Sequence, residues 1–197
     1  MEIIIKDVRG AFLNVFKPKQ AKSGPRYGGA FPIEPNSANH KLLVATMREV
    51  AEKKWDKKGP AILAQLIKAG DVFFKEDAAQ DDEGNVYEGF EGMFTMNAGQ
   101  AEDRGAPTII DKRKDPKTGD FPRLTSKDGR PYSGCYVNVK VDVWAQDKPA
   151  DEGGKRINAA LKTIQFVRDG DAFGSAGPGT SEGFEEVTDG ADADDIA

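Results

Sequence analysis

Between Cys135 and Trp144 the chain reads CYVNVKVDVW, with apolar and polar side chains alternating without a break. Successive side chains of a strand point to opposite faces. Cys135, Val137, Val139, Val141 and Val143 therefore share a core face, and Tyr136, Asn138, Lys140, Asp142 and Trp144 share the other. INAALKTIQFVRDG, after a polar loop, reads as the last strand, because Thr163, Ile164, Phe166 and Val167 outweigh its Ala-Ala-Leu run. VRGAFLNVFKPK reads as a strand that breaks at Pro18 into the Gly- and Pro-rich loop KPKQAKSGPRYGGAFPIEPN. Residues 71–111 divide into short strands separated by polar turns, and KRKDPKTGDFPRLTSKDGRPYSG into a long basic excursion with two turn centres.

The period changes in SANHKLLVATMREVAEKKWDKKG. Leu43, Met47 and Val50, flanked by Val44, Ala51 and Trp55, recur at helical spacing, with Ser37 or Asn36 as N-cap and Gly59 just past the end. A second helix opens with Pro60 at its first position, carries Ile62, Leu63, Leu66 and Ile67, and stops at Gly70. The pattern as a whole predicts a mainly β, OB-fold-like, five-stranded antiparallel barrel over residues 1–173. A helical insertion occupies about 37–69, and a disordered acidic tail occupies 174–197.

Charge sharpens that division. All 28 Lys and Arg lie at or before Arg168, whereas nine of the 33 acids follow it, so a mildly basic body precedes a tail with no cation. Such asymmetry points to nucleic acid as the partner of the body, with solubility as the plainer role for the tail. No apolar run reaches the roughly 20 residues that span a bilayer, and MEIIIKDVRG lacks the apolar stretch of a signal peptide, so the expectation is a cytoplasmic protein without a membrane role. One cysteine excludes an intramolecular disulfide, and with one histidine it cannot build a Cys/His zinc cage.

Catalytic chemistry finds few players. His40 would have to serve every triad, and its place near a helix start suits a polar or capping role. Cys135 is in phase with four valines, as a buried inert thiol would be. Asp81, Glu83 and Asn85 resemble half of a calcium loop, but Val86 stands where that loop needs glycine, which favours a β-turn. Asp71, Glu76 and Asp77 have no partner motif for a two-metal nuclease. The reading is a non-enzyme without cofactor or metal.

What is present is cation interleaved with aromatic, the combination that holds single-stranded nucleic acid by phosphate contacts and base stacking. The candidate DNA-binding residues are Lys17, Lys19, Lys22, Arg26 and Tyr27 in the first loop; Lys112, Arg113, Lys114 and Arg123 in the basic excursion; and Tyr136, Lys140 and Trp144, spaced about 13 Å apart on the open face of the alternating strand. A competing reading from another class is a protein-interaction or DNA-mimic module whose working part is the acidic tail.

RGAFLNVFKPK, PRYGGAFPIEPNSANHKLL, PYSGCYVNVKVDVWAQD and GKRINAALKTIQFVRDGDAFG, followed by an acidic end, resemble the single-stranded DNA-binding proteins of tailed bacteriophages over nearly the whole chain. The resemblance implies an OB fold and sequence-independent binding of single-stranded DNA in phage replication, recombination or repair within the infected bacterial cell. It also implies that the tail, through Glu182, Glu185, Glu186, Asp189, Asp192, Asp194 and Asp195, competes with DNA or contacts phage or host replication proteins. The chain departs from the best-known tails of this kind, which end in an aromatic residue, by ending Ile196-Ala197.

Overall fold

In the computed structural model, which describes residues 1–21 and 24–173, the chain forms β1 (Glu2–Arg9), β2 (Ala11–Ala21), β3 (Gly24–Ile33), α1 (Ala38–Trp55), α2 (Gly59–Ala69), β4 (Phe74–Lys75), β5 (Phe94–Ala101), β6 (Thr108–Ile110), β7 (Tyr136–Asp147) and β8 (Lys155–Arg168). The described strands make two four-stranded sheets, ordered β1-β7-β8-β6 and β2-β3-β5-β4. This mainly β architecture replaces the expected closed five-stranded barrel. β1 and β2 are one run of chain bent at Gly10, so the same segment edges both sheets. The Gly10 N–H donates to Cys135 O at 2.9 Å and its carbonyl accepts from the Gly134 N–H at 2.7 Å, which fixes the corner.

The alternation in β7 is realised as expected. Cys135, Val137, Val139, Val141 and Val143 are all fully buried, each contributing roughly 1.5–3 kcal/mol of apolar transfer as a valine-sized side chain. β8 pairs with β7 along its length, and Ile157, Leu161, Ile164 and Phe166 join the same core. Burial also pushes the Cys135 thiol above its ordinary value, the behaviour of an inert sulfhydryl.

Two local expectations are corrected. Pro18 does not end its strand: β2 continues to Ala21 and pairs with β3, so the supposed loop is an antiparallel ribbon. Proline is tolerated there because β2 is an edge strand and need not donate on its outer side. Gly59 does not cap α1 in a left-handed conformation; that C-cap is Asp56, with φ of 50°, while Gly59 is helical and opens α2. Its lack of a side chain serves packing instead, since a Cβ there would lie 2.8 Å from Ala51 O. The remaining helix signals hold. The Ser37 hydroxyl accepts from the His40 N–H, Pro60 lies in the first turn of α2, and Gly70 ends it left-handed at φ 74°.

Leu43, Met47, Val50, Ala51 and Trp55 of α1 and Leu63 and Leu66 of α2 are buried in the core the two sheets share. The His40 ring lies among Phe74 and Phe94 at centroid distances of 5.7 and 5.0 Å, with Nδ1 accepting from the Asn36 N–H and Nε2 2.9 Å from Glu76. Its role is to tie the start of α1 to the second sheet. No described helix is long and apolar enough to cross a membrane.

Gly59 gives a test whose sign is diagnostic. At an ordinary helical position Gly→Ala stabilises by up to about 1 kcal/mol, but Gly59→Ala should destabilise by about 1–3 kcal/mol because the crowding atom is backbone. Chemical denaturation at equilibrium reads the difference, and a stabilised variant would contradict the close helix approach.

Candidate nucleic-acid interface

A groove of ≈ 570 Å³ opens where β3 and β5 of one sheet face β7 and β8 of the other. Its floor is the segment before β4. Val72 bridges in parallel to Ile157 of β8, the Asp71 carbonyl accepts from the Ile157 N–H at 3.1 Å, and the Phe73 carbonyl accepts from the Asn97 N–H of β5 at 2.8 Å. On the second-sheet side, Gly28, Gly29, Ala98 and Gly99 line the groove with almost no side chain. Backbone and small groups there leave room for a broad planar ligand to lie flat.

Aromatic and cationic residues line this groove. Tyr27 and Arg26 are neighbours on opposite faces of β3, Lys19 lies on the ribbon strand opposite Arg26, and Trp144 comes from β7 and Arg156 from β8. Trp144 pairs across the ladder with Asn158, and Gln146 with Arg156, so four groove side chains share one face. Gln146 Nε2 donates to Gly153 O and Gly154 O, which holds the amide in place. Arg156 donates to Asp71 Oδ1 at 3.1 Å, aiming the guanidinium from the floor.

Phe12 stands at the rim. It is 48% exposed and its φ is 52°, a left-handed conformation that a bulky residue adopts only where the surrounding structure imposes it. Its ring meets Tyr87 edge-on at 4.9 Å and lies nearly parallel to Phe90 at 6.4 Å.

Of the candidates named from sequence, Lys19, Arg26, Tyr27 and Trp144 meet in this groove. Lys17 is exposed on β2 outside it, and Lys22 lies outside the described residues, as do all seven tail acids from Glu182 to Asp195. Tyr136 and Lys140 do share the outer face of β7 with Trp144, but each has an intramolecular partner. The Arg168 guanidinium sits 3.3 Å from the Tyr136 ring centroid and pairs with Asp7, and Lys140 pairs with Glu2 at 2.6 Å. Tyr136 is eight residues, about 26 Å, along the strand from Trp144.

Lys112, Arg113, Lys114 and Arg123 gather beyond β6, which pairs with β8 near Ile164, about 17 Å along β8 from Ala159 at the groove. Lys112 lies over the Phe166 ring at 5.7 Å and Lys114 over Phe121 at 5.5 Å. The groove also holds Phe12, Gln146, Arg156 and Asn158, which the sequence candidates did not include. Phe12 was detectable, because in AFLNVFK it falls on the strand face opposite buried Ala11 and Val15; Arg156 carried no local signal.

A model of the family described as Enterobacter phage Enc34, ssDNA-binding protein, matches residues 1–196. The chain belongs to this Enc34 ssDNA-binding protein family. Within the curated proteins it is 31% identical over 192 residues to protein p50 of Acyrthosiphon pisum secondary endosymbiont phage 1, covering 95% of each chain. The single-stranded DNA-binding protein from bacteriophage Enc34, solved in complex with ssDNA, aligns with a TM-score of 0.65 at 21% identity over 88% of this chain and 89% of that one. The bacteriophage T7 protein gp2.5, a single-stranded DNA binding protein, aligns with a TM-score of 0.51 at 13% identity over 97% of this chain and 100% of its own. These two likenesses concern the fold that this Enc34-family chain shares with them.

At the groove end of the β7–β8 hairpin, Asp147 accepts from Trp55 Nε1 at 2.9 Å and from Lys155 Nζ. These hydrogen bonds, that from Lys155 foremost, hold its carboxyl below the ordinary value of 3.8. A carboxylate with a lowered folded-state pKa contributes stability that is complete above its unfolded value and fades as pH falls through the folded one. Asp147→Asn should therefore lower the melting temperature at pH 6, and the difference from the parent should shrink below about pH 3.8. A constant offset from pH 6 to pH 2.5 would contradict this account.

Proposed function

We propose that the protein binds single-stranded DNA without catalysis and largely independently of sequence, coating strands during phage DNA replication, recombination or repair in the infected cell. The observation that carries this reading is the groove between the sheets, where Tyr27, Trp144 and rim Phe12 stand among Lys19, Arg26 and Arg156. Flat rings accept any base by stacking, at about 1–3 kcal/mol per base, and cations between them follow the phosphates. Family membership and the Enc34 relative solved with ssDNA point the same way. The chain run bent at Gly10, which serves both sheets, is the feature that favours an open OB-like reading of the fold, with residues 1–173 as the DNA-binding domain.

The acidic residues 174–197 are assigned the complementary role. A tethered polyanion competes with DNA for the groove or engages replication proteins, and the absence of any cation after Arg168 supports that assignment.

Fluorescence anisotropy with oligo-dT tests the proposal. Three groove cations should give a log–log salt slope near about -2 at roughly -0.7 per phosphate. Trp144→Ala should weaken binding by about 1–3 kcal/mol, while Lys112→Ala combined with Lys114→Ala should change affinity less than the pair Lys19→Ala and Arg26→Ala. Truncation after Phe173 should tighten binding at low salt. Affinity flat in salt and indifferent to Trp144 would overturn the assignment of the groove.

A further inference from the structure

Beside the groove, and sharing Phe12 with it, lies a second and smaller cavity of ≈ 260 Å³ lined by Ala11, Phe12, Tyr87, Glu88, Ser133 and Phe173. Resting on the DNA-binding reading above, we propose that this cavity receives one base of the bound strand and selects guanine over thymine.

Its walls suit a base. Phe12 and Tyr87 are 48% and 38% exposed, yet they hold each other edge to face at 4.9 Å, so a ring surface faces solvent in a fixed orientation. Phe173 forms the opposite side. It is clasped by the Arg9 guanidinium 4.0 Å from its ring centroid and by the Phe173 N–H donating to Ser133 O at 3.2 Å, while Arg9 also donates to Asp171 O at 2.7 Å. Gly89, with φ of 80°, is required beside it, since a Cβ there would collide with the Phe173 ring. A turn in which the Phe90 N–H donates to Tyr87 O at 3.0 Å presents Tyr87 and Glu88 together.

The polar lining decides which base. A carboxylate next to a polyanion is unfavourable toward phosphate, so Glu88 fits a strand only where base edges face it. A carboxylate presents about four lone-pair positions, so it can take a base donor alongside a protein contact. Guanine offers N1–H and N2–H in parallel, the geometry that two carboxylate oxygens accept together. Thymine offers one N–H flanked by two carbonyl oxygens, which the carboxylate repels. Ser133 accepts from the Leu13 N–H at 3.0 Å, leaving its own O–H to donate to the guanine O6 side of the ring. Among the described residues the main groove has no carboxylate in its lining.

The test is competition anisotropy on the full-length protein with oligo-dT carrying a single dG at each position in turn. Wild type should bind the best-placed dG oligonucleotide about tenfold more tightly than all-dT, the discrimination expected of one bidentate base contact. Glu88→Gln should remove that preference without weakening binding to all-dT, and Tyr87→Leu should weaken both. A dG preference within twofold of unity, or one that survives Glu88→Gln, overturns the base-selective cavity even where oligo-dT binding remains. Loss of binding to every oligonucleotide would instead remove the DNA-binding reading on which it rests.

Discussion

The short segment from Asp71 to Phe74 is bonded to both sheets, and the groove exists because it is. Its carbonyls accept from Ile157 of β8 and from Asn97 of β5, while Val72, Phe73 and Phe74 are buried beneath. Backbone groups buried without partners cost about as much as a lost hydrogen bond, so the spacing of the two groove walls is held by obligatory pairing. The same segment also orients a cation of the groove, because the Asp71 carboxylate pairs with Arg156. Scaffold and site therefore meet in four residues.

How far the sequence foretold this follows from what carries a local signal. The strand from Cys135 to Trp144 was legible because its period of two survives every neighbour, and the helices because Ser37, Pro60 and Gly70 punctuate them. The β2–β3 ribbon was hidden because Pro18 and the Gly-rich run after it imitate a loop, and only an edge position reconciles proline with a ladder. β1 was overlooked for a related reason: Asp7, at φ 49°, bulges the strand and breaks its alternation.

Of the candidate site, the sequence showed the residue types and not their grouping, because composition identifies types while topology chooses among them. Tyr27 and Trp144 lie far apart in the chain and meet only through the sheet pairing; Tyr136, on the same strand face as Trp144, is about 26 Å away under Arg168. The cluster beyond β6 shows the same selection by geometry. At physiological salt the Debye length is about 8 Å, so cations about 17 Å along β8 add little to the field in the groove. Two of them, Lys112 and Lys114, already lie over the rings of Phe166 and Phe121.

Phe12 is the residue in which these constraints conflict most openly. A left-handed conformation costs a non-glycine residue about 1–2 kcal/mol, and the core rewards it only through the near-parallel contact with buried Phe90, because the residue is 48% exposed. Contact with Tyr87 returns about 0.5–1.5 kcal/mol as an aromatic pair, which offsets the strain without exceeding it. The Gly10 corner lies just before it, and Ala11 and Val15 must be buried on the inner face of β2. With its neighbours so fixed, the left-handed turn at Phe12 directs the ring to the rim shared by groove and cavity. A core would discard such a residue. On the DNA-binding function proposed above, a surface that presents a rigid aromatic plane to a flexible strand has reason to keep it, since ordering the ring in advance lowers the entropy lost on binding.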